Sequence, residues 1–565
     1  MADYTIATSS VVEMEESKNQ EPEEKNDRLI AINHQLNEIQ DKIMNWKKDE
    51  SYTEAHEYMK AADQARKLIH TLENIPTNTN NTLQVKAHEV LETLMSRLAD
   101  EFRHLLVHNR QPIEFCSSEV ENIEAEPAPE DPAIELMCPD VISILRSITN
   151  FMFDSNYGRE CSRVFVDVQR DALHDCLLRL RVKKLTLEDA LKMEWSPLYS
   201  RTRQWVRAVK LFVRVHLAFE RLLADHVFVD LGPTVGPTCF AESSRAPFLC
   251  LLTLARAIAV GLPKPEDLTQ ILDAREALAG LAPDVVALYL GGPGPCIWAE
   301  CVDVIGRLGG CARAAFLEFE SYVGSASAIP LPPGGGVHSL TKYVMDNIVS
   351  LTDYRETLDE VLRDLEGPPG EDESLMARHF KALMSGLEHK LEEKSGKYRD
   401  KALQHVFLIN NVHYMAENAK NSKLRMVLGD DWIHEHNRQV QQHVMNYKRA
   451  TWSSILALLR HKELTLLPAN YPLQTPIKGK LQEVYHAFEE VYKSQTGWSV
   501  WDSEFREDLR ISTSTIVVLY YRTFVGLFEN NISNVKDVKY TIEDWEDYIR
   551  ELFERSPELL LGHKR

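Results

Sequence analysis

The chain has 565 residues, 44% hydrophobic and 26% charged, the balance of a folded globular protein rather than a disordered one. Its formal net charge of −21 excludes a general nucleic-acid binder, which needs Lys and Arg to neutralise phosphates. The nine cysteines are scattered with no Cys-x-x-Cys pair, so they read as reduced thiols of a cytosolic protein rather than as a zinc or disulfide framework.

The acidity lies mostly at the N-terminus. Met1–Asp140 carries 13 Lys/Arg against 29 Asp/Glu, whereas Arg159–Arg221 carries 14 against 8. Residues 1–26 are polar and acidic, lack periodicity and are expected to form a disordered tail; they hold no apolar core of a secretory signal. Leu29, Ile32, Leu36, Ile39 and Ile43 then predict an amphipathic helix. A second helix runs through Leu68, Ile69 and Leu72, and a third covers Val85–Leu106. Thin apolar seams and heavy charge make residues 27–116 a coiled-coil-like helical arm that completes its packing on partners. Residues 117–135, SSEVENIEAEPAPEDPAIE, contain Pro127, Pro129 and Pro132 and form an acidic linker that cannot be helical.

From 136 to 565 every segment reads as helix, and no alternation is sustained enough for a sheet. Helices are predicted over Val141–Phe153, Arg159–Leu180 and Thr186–Met193, the last with Thr186 and Asp189 spaced as a capping box. A helix over Leu198–Phe228 carries Trp205, Val209, Phe212, Phe219 and Leu223 on one side, with His216 in that seam as a hydrogen-bonded core residue. Further helices cover Pro247–Val260, Pro265–Leu278 and Trp298–Tyr322. The longest apolar run, Ala246–Leu262, contains Arg256 and is too short to span a bilayer, so any membrane role is peripheral. The runs GGPGP (291–295) and PPGGG (332–336) lack the Gly-Lys-Ser/Thr ending of a P-loop and read as turns.

One seam of Leu340, Val344, Ile348, Leu351, Leu358, Leu362 and Leu365, broken only at Arg355, predicts a helix over Ser339–Leu365. His405–Leu459 then predicts a helical hairpin. Its first helix has Leu408, Val412, Met415 and Ala419 in a stripe, Gly429 ends that half, and Asp430 and Asp431 cap a second helix starting near Trp432. Histidines at 405, 413, 434, 436 and 443 raise a metal site, but His434 and His436 face different sides of a helix and no His-Glu-x-x-His motif occurs. A helix with Leu481, Tyr485, Phe488 and Tyr492 comes next, then one over Ser503–Phe528. The last starts at Thr541 with Glu543 and Asp544 in its first turn, where the dipole favours them. No Ser or Cys lies in a nucleophile signature. The pattern is all-α, an elongated stack of antiparallel helical bundles with an N-terminal helical arm, and it shows no catalytic constellation, metal or cofactor site.

Three stretches add what periodicity cannot. HSLTKYVMDNIVSLTDYRETL (338–358), the hairpin from HVFLINNVHYM through LGDDWI to MNYKRATW, and FMFDSNYGRECSRVFVDVQRDAL (151–173) with LEDALKMEW resemble, in order, the plant-type seventy-kilodalton subunit family of the exocyst. The similarity runs from about Leu136 to Leu552. It implies a non-enzymatic rod of helical bundles that helps tether secretory vesicles at the plasma membrane during exocytosis. It also implies a cytoplasmic protein peripherally bound to that membrane, whose N-terminal arm pairs with other exocyst subunits. Small GTPases are a further implied class of partner. The family's basic Lys-x-x-Lys-Tyr element matches Lys536, Lys539 and Tyr540, so the resemblance makes Lys536 and Lys539 candidate contacts for phosphatidylinositol bisphosphate. Asp537 sits between them, and Trp501–Arg565 carries 9 Lys/Arg against 13 Asp/Glu, so Lys448, Arg449, Arg460 and Lys462 would have to share the face. The competing reading is a divergent paralogue acting as an adaptor in autophagy or immune signalling.

Overall fold

A computed structural model of the chain describes residues 26–44, 53–74, 81–110, 137–182, 195–260, 264–291, 295–325, 329–366, 374–460, 474–528 and 538–553. The acidic tail, the linker 117–135, Thr186, Asp189, Lys462 and Lys536 lie outside these residues. Among the described residues every regular element is helical and there is no strand, so the fold is all-α. The chain divides into two compact units. One comprises Met1–Gly261 with Asp273–Leu308, the other Leu262–Leu272 with Gly309–Arg565.

In the first unit, helix α1 (26–44) buries Ile32, Leu36, Ile39 and Ile43, the predicted stripe. α2 (Thr53–Glu73) and α3 (Asn81–His108) come after it, and Lys86 on α3 donates to the Asn33 side chain of α1 at 3.1 Å. Next come α4 (Pro139–Asp154) and α5 (Gly158–Arg179). The Arg66 guanidinium of α2 lies 5.6 Å from the centre of the Phe151 ring of α4. Just past α3, Arg110 pairs with Glu220, which is 3% exposed, and lies over the Phe219 ring. Burial lowers the Arg110 guanidinium to about 10. Removing one partner of a buried pair leaves an uncompensated charge and costs about 3–5 kcal/mol, so this contact fastens the end of α3 to the unit.

The helix predicted over Leu198–Phe228 is interrupted. α6 (Trp195–Leu211) passes through a π turn, Phe212–Leu217, into α7 (Ala218–Val227). The π turn adds a residue per turn and reorients the helix beyond it. His216, inside it, is buried, and burial beside Arg110 and Arg179 lowers its pKa to about 4. α8 (Val235–Val260) begins well before the predicted Pro247 and runs through it. An internal proline costs about 3 kcal/mol, but Phe240, Phe248, Leu251, Leu252 and Ile258 are all fully buried here and outweigh it. By length and composition α8 could cross a membrane, yet those side chains fill a protein core. α9 (Leu268–Gly280), α10 (Ala282–Leu288) and α11 (Pro295–Ser325) come next.

The predicted helix over Ser339–Leu365 is also two helices. α12 (Ser339–Leu351) and α13 (Arg355–Glu366) are separated by a 3-10 turn, Thr352–Tyr354. There the Thr352 hydroxyl donates to the Val349 carbonyl at 2.6 Å, and Asp353 is drawn to Lys423 at 2.6 Å. After α14 (Leu375–Ser395) comes the hairpin of α15 (Lys401–Lys420), a short α16 (Leu424–Leu428) and α17 (Asp430–Leu458). α16 occupies the corner where a simple turn was expected. Gly429, at φ 85°, is the N-cap of α17 and no side chain caps it. Asp430 and Asp431 therefore stand inside the first turn rather than capping it; the Asp430 carboxylate is held by Arg425 at 2.7 and 3.2 Å. α18 (Gln474–Gln495), α19 (Ser503–Phe528) and α20 (Ile542–Arg550) complete the second unit. Trp545 of α20 is fully buried, stacked on Phe488 at 3.9 Å and Tyr521 at 4.5 Å.

Two adjacent asparagines in the middle of α15 hold this unit together. Asn410 donates to the carbonyls of Gly335 and Ser499, both at 2.7 Å, and accepts from the Trp501 amide at 3.1 Å. Asn411 accepts from the His338 amide at 2.9 Å and from the Thr341 hydroxyl at 2.7 Å. The PPGGG run is thus a packed corner. Gly335 has φ +72°, and a Cβ there would stand 2.7 Å from the Leu403 side chain; at Gly334 it would stand 2.9 Å from the Gly497 carbonyl oxygen.

Candidate membrane and partner interfaces

Of the two candidate lipid contacts, Lys539 is described and Lys536 is not. Lys539 lies just before α20, and its ammonium meets the Glu489 carboxylate of α18 at 2.6 Å. The Tyr540 hydroxyl donates to the same Glu489 oxygen at 2.7 Å, and the ammonium lies 5.0 Å from the centre of the Tyr540 ring. The backbone here is fixed from within, since the Tyr521 hydroxyl donates to the Tyr540 carbonyl at 2.7 Å and Tyr485 meets Tyr521 at 3.1 Å. The Lys539 and Tyr540 bonds hold the Glu489 carboxyl below the usual carboxylate range, and Glu489 in turn raises the Lys539 ammonium. Lys539 keeps 58% of its side chain exposed. It is an accessible cation on a rigid corner, but it already has an anion.

The other basic residues divide. The Lys448 ammonium donates to the Ser512 hydroxyl at 2.7 Å, and partial burial lowers its pKa, so it is committed to the α17–α19 contact. Arg449 and Arg460 are exposed.

The hairpin histidines are brought together without forming a metal centre. The Nδ1 atoms of His405 and His443 lie 3.3 Å apart while the ring centres are 5.6 Å apart. The difference is about what two ring radii occupy, so the rings point at each other in an Nδ1–H···Nδ1 bond rather than converging on a shared ion. His413 packs against Phe505 at 4.6 Å. His436 stacks on Trp432 at 3.5 Å and reaches Glu388 at 2.5 Å. Among the described residues no three His, Cys, Asp or Glu side chains gather in a way that could hold a metal ion.

The N-terminal helices present a surface that periodicity did not single out. Between α1 and α3 lies a groove of about 730 Å³ lined by Ile43, Met44, Asn81, Val85, Lys86 and Val90. Met44 is 80% and Val85 53% exposed, so among the described residues two apolar side chains of its lining stand largely uncovered. The sequence signal was the thin seam of α1, too narrow to use all its apolar residues internally.

The sequence profile for the C-terminal part of the Exo70 exocyst complex subunit matches residues 203–551, and that for the N-terminal part of exocyst complex component Exo70 matches residues 35–108. The chain belongs to the Exo70 family of exocyst subunits. Two Exo70 relatives from Arabidopsis thaliana are each 32% identical to it. Exocyst complex component EXO70E2 aligns over 93% of this chain and 88% of its own length, and EXO70B1 over 83% and 80%. The crystal structure of the Saccharomyces cerevisiae exocyst component Exo70p has the same fold, with a TM-score of 0.56 at 14% identity, covering 93% of this chain and all of that one. Two signature stretches of this Exo70 chain meet at one structural knot, where Asn411 of the hairpin accepts from His338 and Thr341.

Proposed function

We propose that this chain is a non-catalytic exocyst subunit that helps tether secretory vesicles to the plasma membrane. Its N-terminal helices pair with other exocyst subunits, and Lys536 and Lys539 contact phosphoinositide headgroups. The observation that carries the reading is the match to both Exo70 family profiles across the chain. The open groove between α1 and α3 supports the pairing, because exposed apolar side chains at a helical groove are where a further helix gains most by packing. Exposed Lys539, held on a rigid corner, supports the lipid contact, and anionic headgroups would have to displace or share Glu489.

Two measurements test the two halves. Full-length protein should co-purify with other exocyst subunits, and Met44→Glu with Val85→Glu should weaken that association while leaving the thermal melt unchanged; equal recovery of wild type and double variant would overturn the pairing surface. Vesicles containing phosphatidylinositol bisphosphate should retain the protein in flotation, and Lys536→Glu with Lys539→Glu should reduce retention. Unchanged flotation would reject that lipid site.

A further inference from the structure

We propose that the pocket between α17 and α19 holds an aromatic side chain from an acidic segment of a protein partner. The pocket encloses about 170 Å³, and its lining includes Lys448, Arg449 and Trp452 of α17 with Thr513, Ile516 and Val517 of α19. A cavity of about 150 Å³ accommodates a benzene ring, so this space suits one aromatic group. Trp452 and Val517 are recessed, at 2% and 1% exposure, whereas Ile516 is 41% exposed. A bound ring therefore finds apolar walls within, and the residue that carries it finds a further apolar contact outside. Anchors of this kind, one large side chain in a desolvated pocket, supply most of the energy of a protein interface.

Two features choose the occupant. Thr513 is 3% exposed, and its hydroxyl has no hydrogen-bond partner among the described residues. A buried hydroxyl without a partner is costly, and a ring with a polar tip, the phenol of tyrosine, supplies one. Charge is the second feature. Residues 436–458 of α17 and 509–528 of α19 include no Asp or Glu, in a chain whose net charge is −21. The Lys448 ammonium donates to Ser512 at 2.7 Å, and burial alone lowers its pKa, with no carboxylate acting on it. Arg449 beside it is exposed and has no side-chain partner among the described residues. The pocket is thus bordered by cations and has no carboxylate in its lining, so it attracts an acidic ligand without opposing it. Arg449 is exposed whereas the ring site is recessed, which places the complementary carboxylates on neighbours of the ring, as in a peptide. A bilayer is the poorer fit, because recessed apolar groups meet a projecting side chain rather than a flat surface.

The probe is a short fluorescent peptide with one Tyr between two Glu-Glu pairs. Companion peptides carry Phe or Ala in place of Tyr, or Lys in place of Glu. Fluorescence anisotropy with the full-length protein should show saturable binding in the order Tyr, Phe, Ala, with none for the Lys peptide. Arg449→Glu should weaken binding by about tenfold. Arg355→Glu, the same charge change at an exposed residue of α13 outside the pocket, should leave it unchanged. Thr513→Val, which keeps the shape and removes the hydroxyl, should erase the preference for Tyr over Phe. All three variants should keep the wild-type thermal melt. Absence of saturable binding, an Ala peptide that binds as tightly as the Tyr peptide, equal losses in the two arginine variants, or a Tyr preference that survives Thr513→Val would overturn the proposal. So would retention on phosphatidylserine vesicles that falls in Arg449→Glu while the peptide stays bound, since that outcome assigns these cations to lipid.

Discussion

Asn410 satisfies three backbone groups with one fully buried side chain. Removing it strands two carbonyls and an amide, each costing about 1–3 kcal/mol when buried without a partner. Asn410→Ala should therefore lower stability by about 3 kcal/mol or more, read as a shift in the urea midpoint of the second unit. Asn418→Ala, which loses bonds to Tyr414 within its own helix, should cost about 1 kcal/mol; comparable losses would show that the corner is not the anchor. A second residue-level effect depends on pH. Burial, with His405 alongside, lowers His443 to about 4, against about 6.5 in an unfolded chain. Below pH 6.5 the unfolded chain takes up this proton and the folded one does not, so protonation favours unfolding. The contribution is fully present above about pH 6.5 and is lost as pH falls toward 4. His405, lowered by burial and by Lys401, acts in the same sense. His443→Gln should flatten the stability slope between about pH 6.5 and 4.5 relative to wild type; parallel slopes would refute the assignment.

At the scale of elements, helix existence was legible and helix continuity was not. The stripe of Leu408, Val412, Met415 and Ala419 predicted α15 because burial repeats with the helical period. The same period says nothing of Asn410 and Asn411, whose partners lie on segments 70 to 91 residues away. The break at Phe212–Leu217 leaves the apolar spacing intact, and at Thr352–Tyr354 the seam is interrupted at one position alone, Arg355, the first residue of α13. The start of α20 was legible because its chemistry is local. Thr541 accepts from the Asp544 amide at 3.1 Å while Asp544 accepts from the Thr541 amide at 2.7 Å, a complete capping box. Thr541→Ala should destabilise α20 by about 1 kcal/mol. Amide exchange at Asp544 and Trp545 should quicken by about fivefold while α15 exchange stays fixed; unchanged exchange would mean that Trp545 packing alone holds the helix.

For the whole molecule, charge sets the terms of the proposed membrane contact. A chain of net charge −21 is repelled by an anionic surface at long range, so attachment depends on a few local cations acting within a Debye length, about 8 Å at physiological salt. The candidate site was legible only through family resemblance, because Lys-Asp-Val-Lys is an ordinary solvated sequence, and no pattern in it announces that Glu489, fifty positions earlier, neutralises Lys539. That pairing implies a brake on the proposed lipid binding. A headgroup phosphate has to compete for an ammonium that already has a carboxylate at 2.6 Å. Glu489→Gln keeps an acceptor for Tyr540 and removes the counter-charge. It should raise retention on vesicles containing phosphatidylinositol bisphosphate several-fold at low ionic strength, with the gain fading as salt screens the surface. Adding Lys539→Gln should abolish the gain, which separates release of this lysine from a general decrease in negative charge. If Glu489→Gln binds no better than wild type, or binds better even without Lys539, then Lys539 is a structural partner of α18 and the membrane contact lies elsewhere.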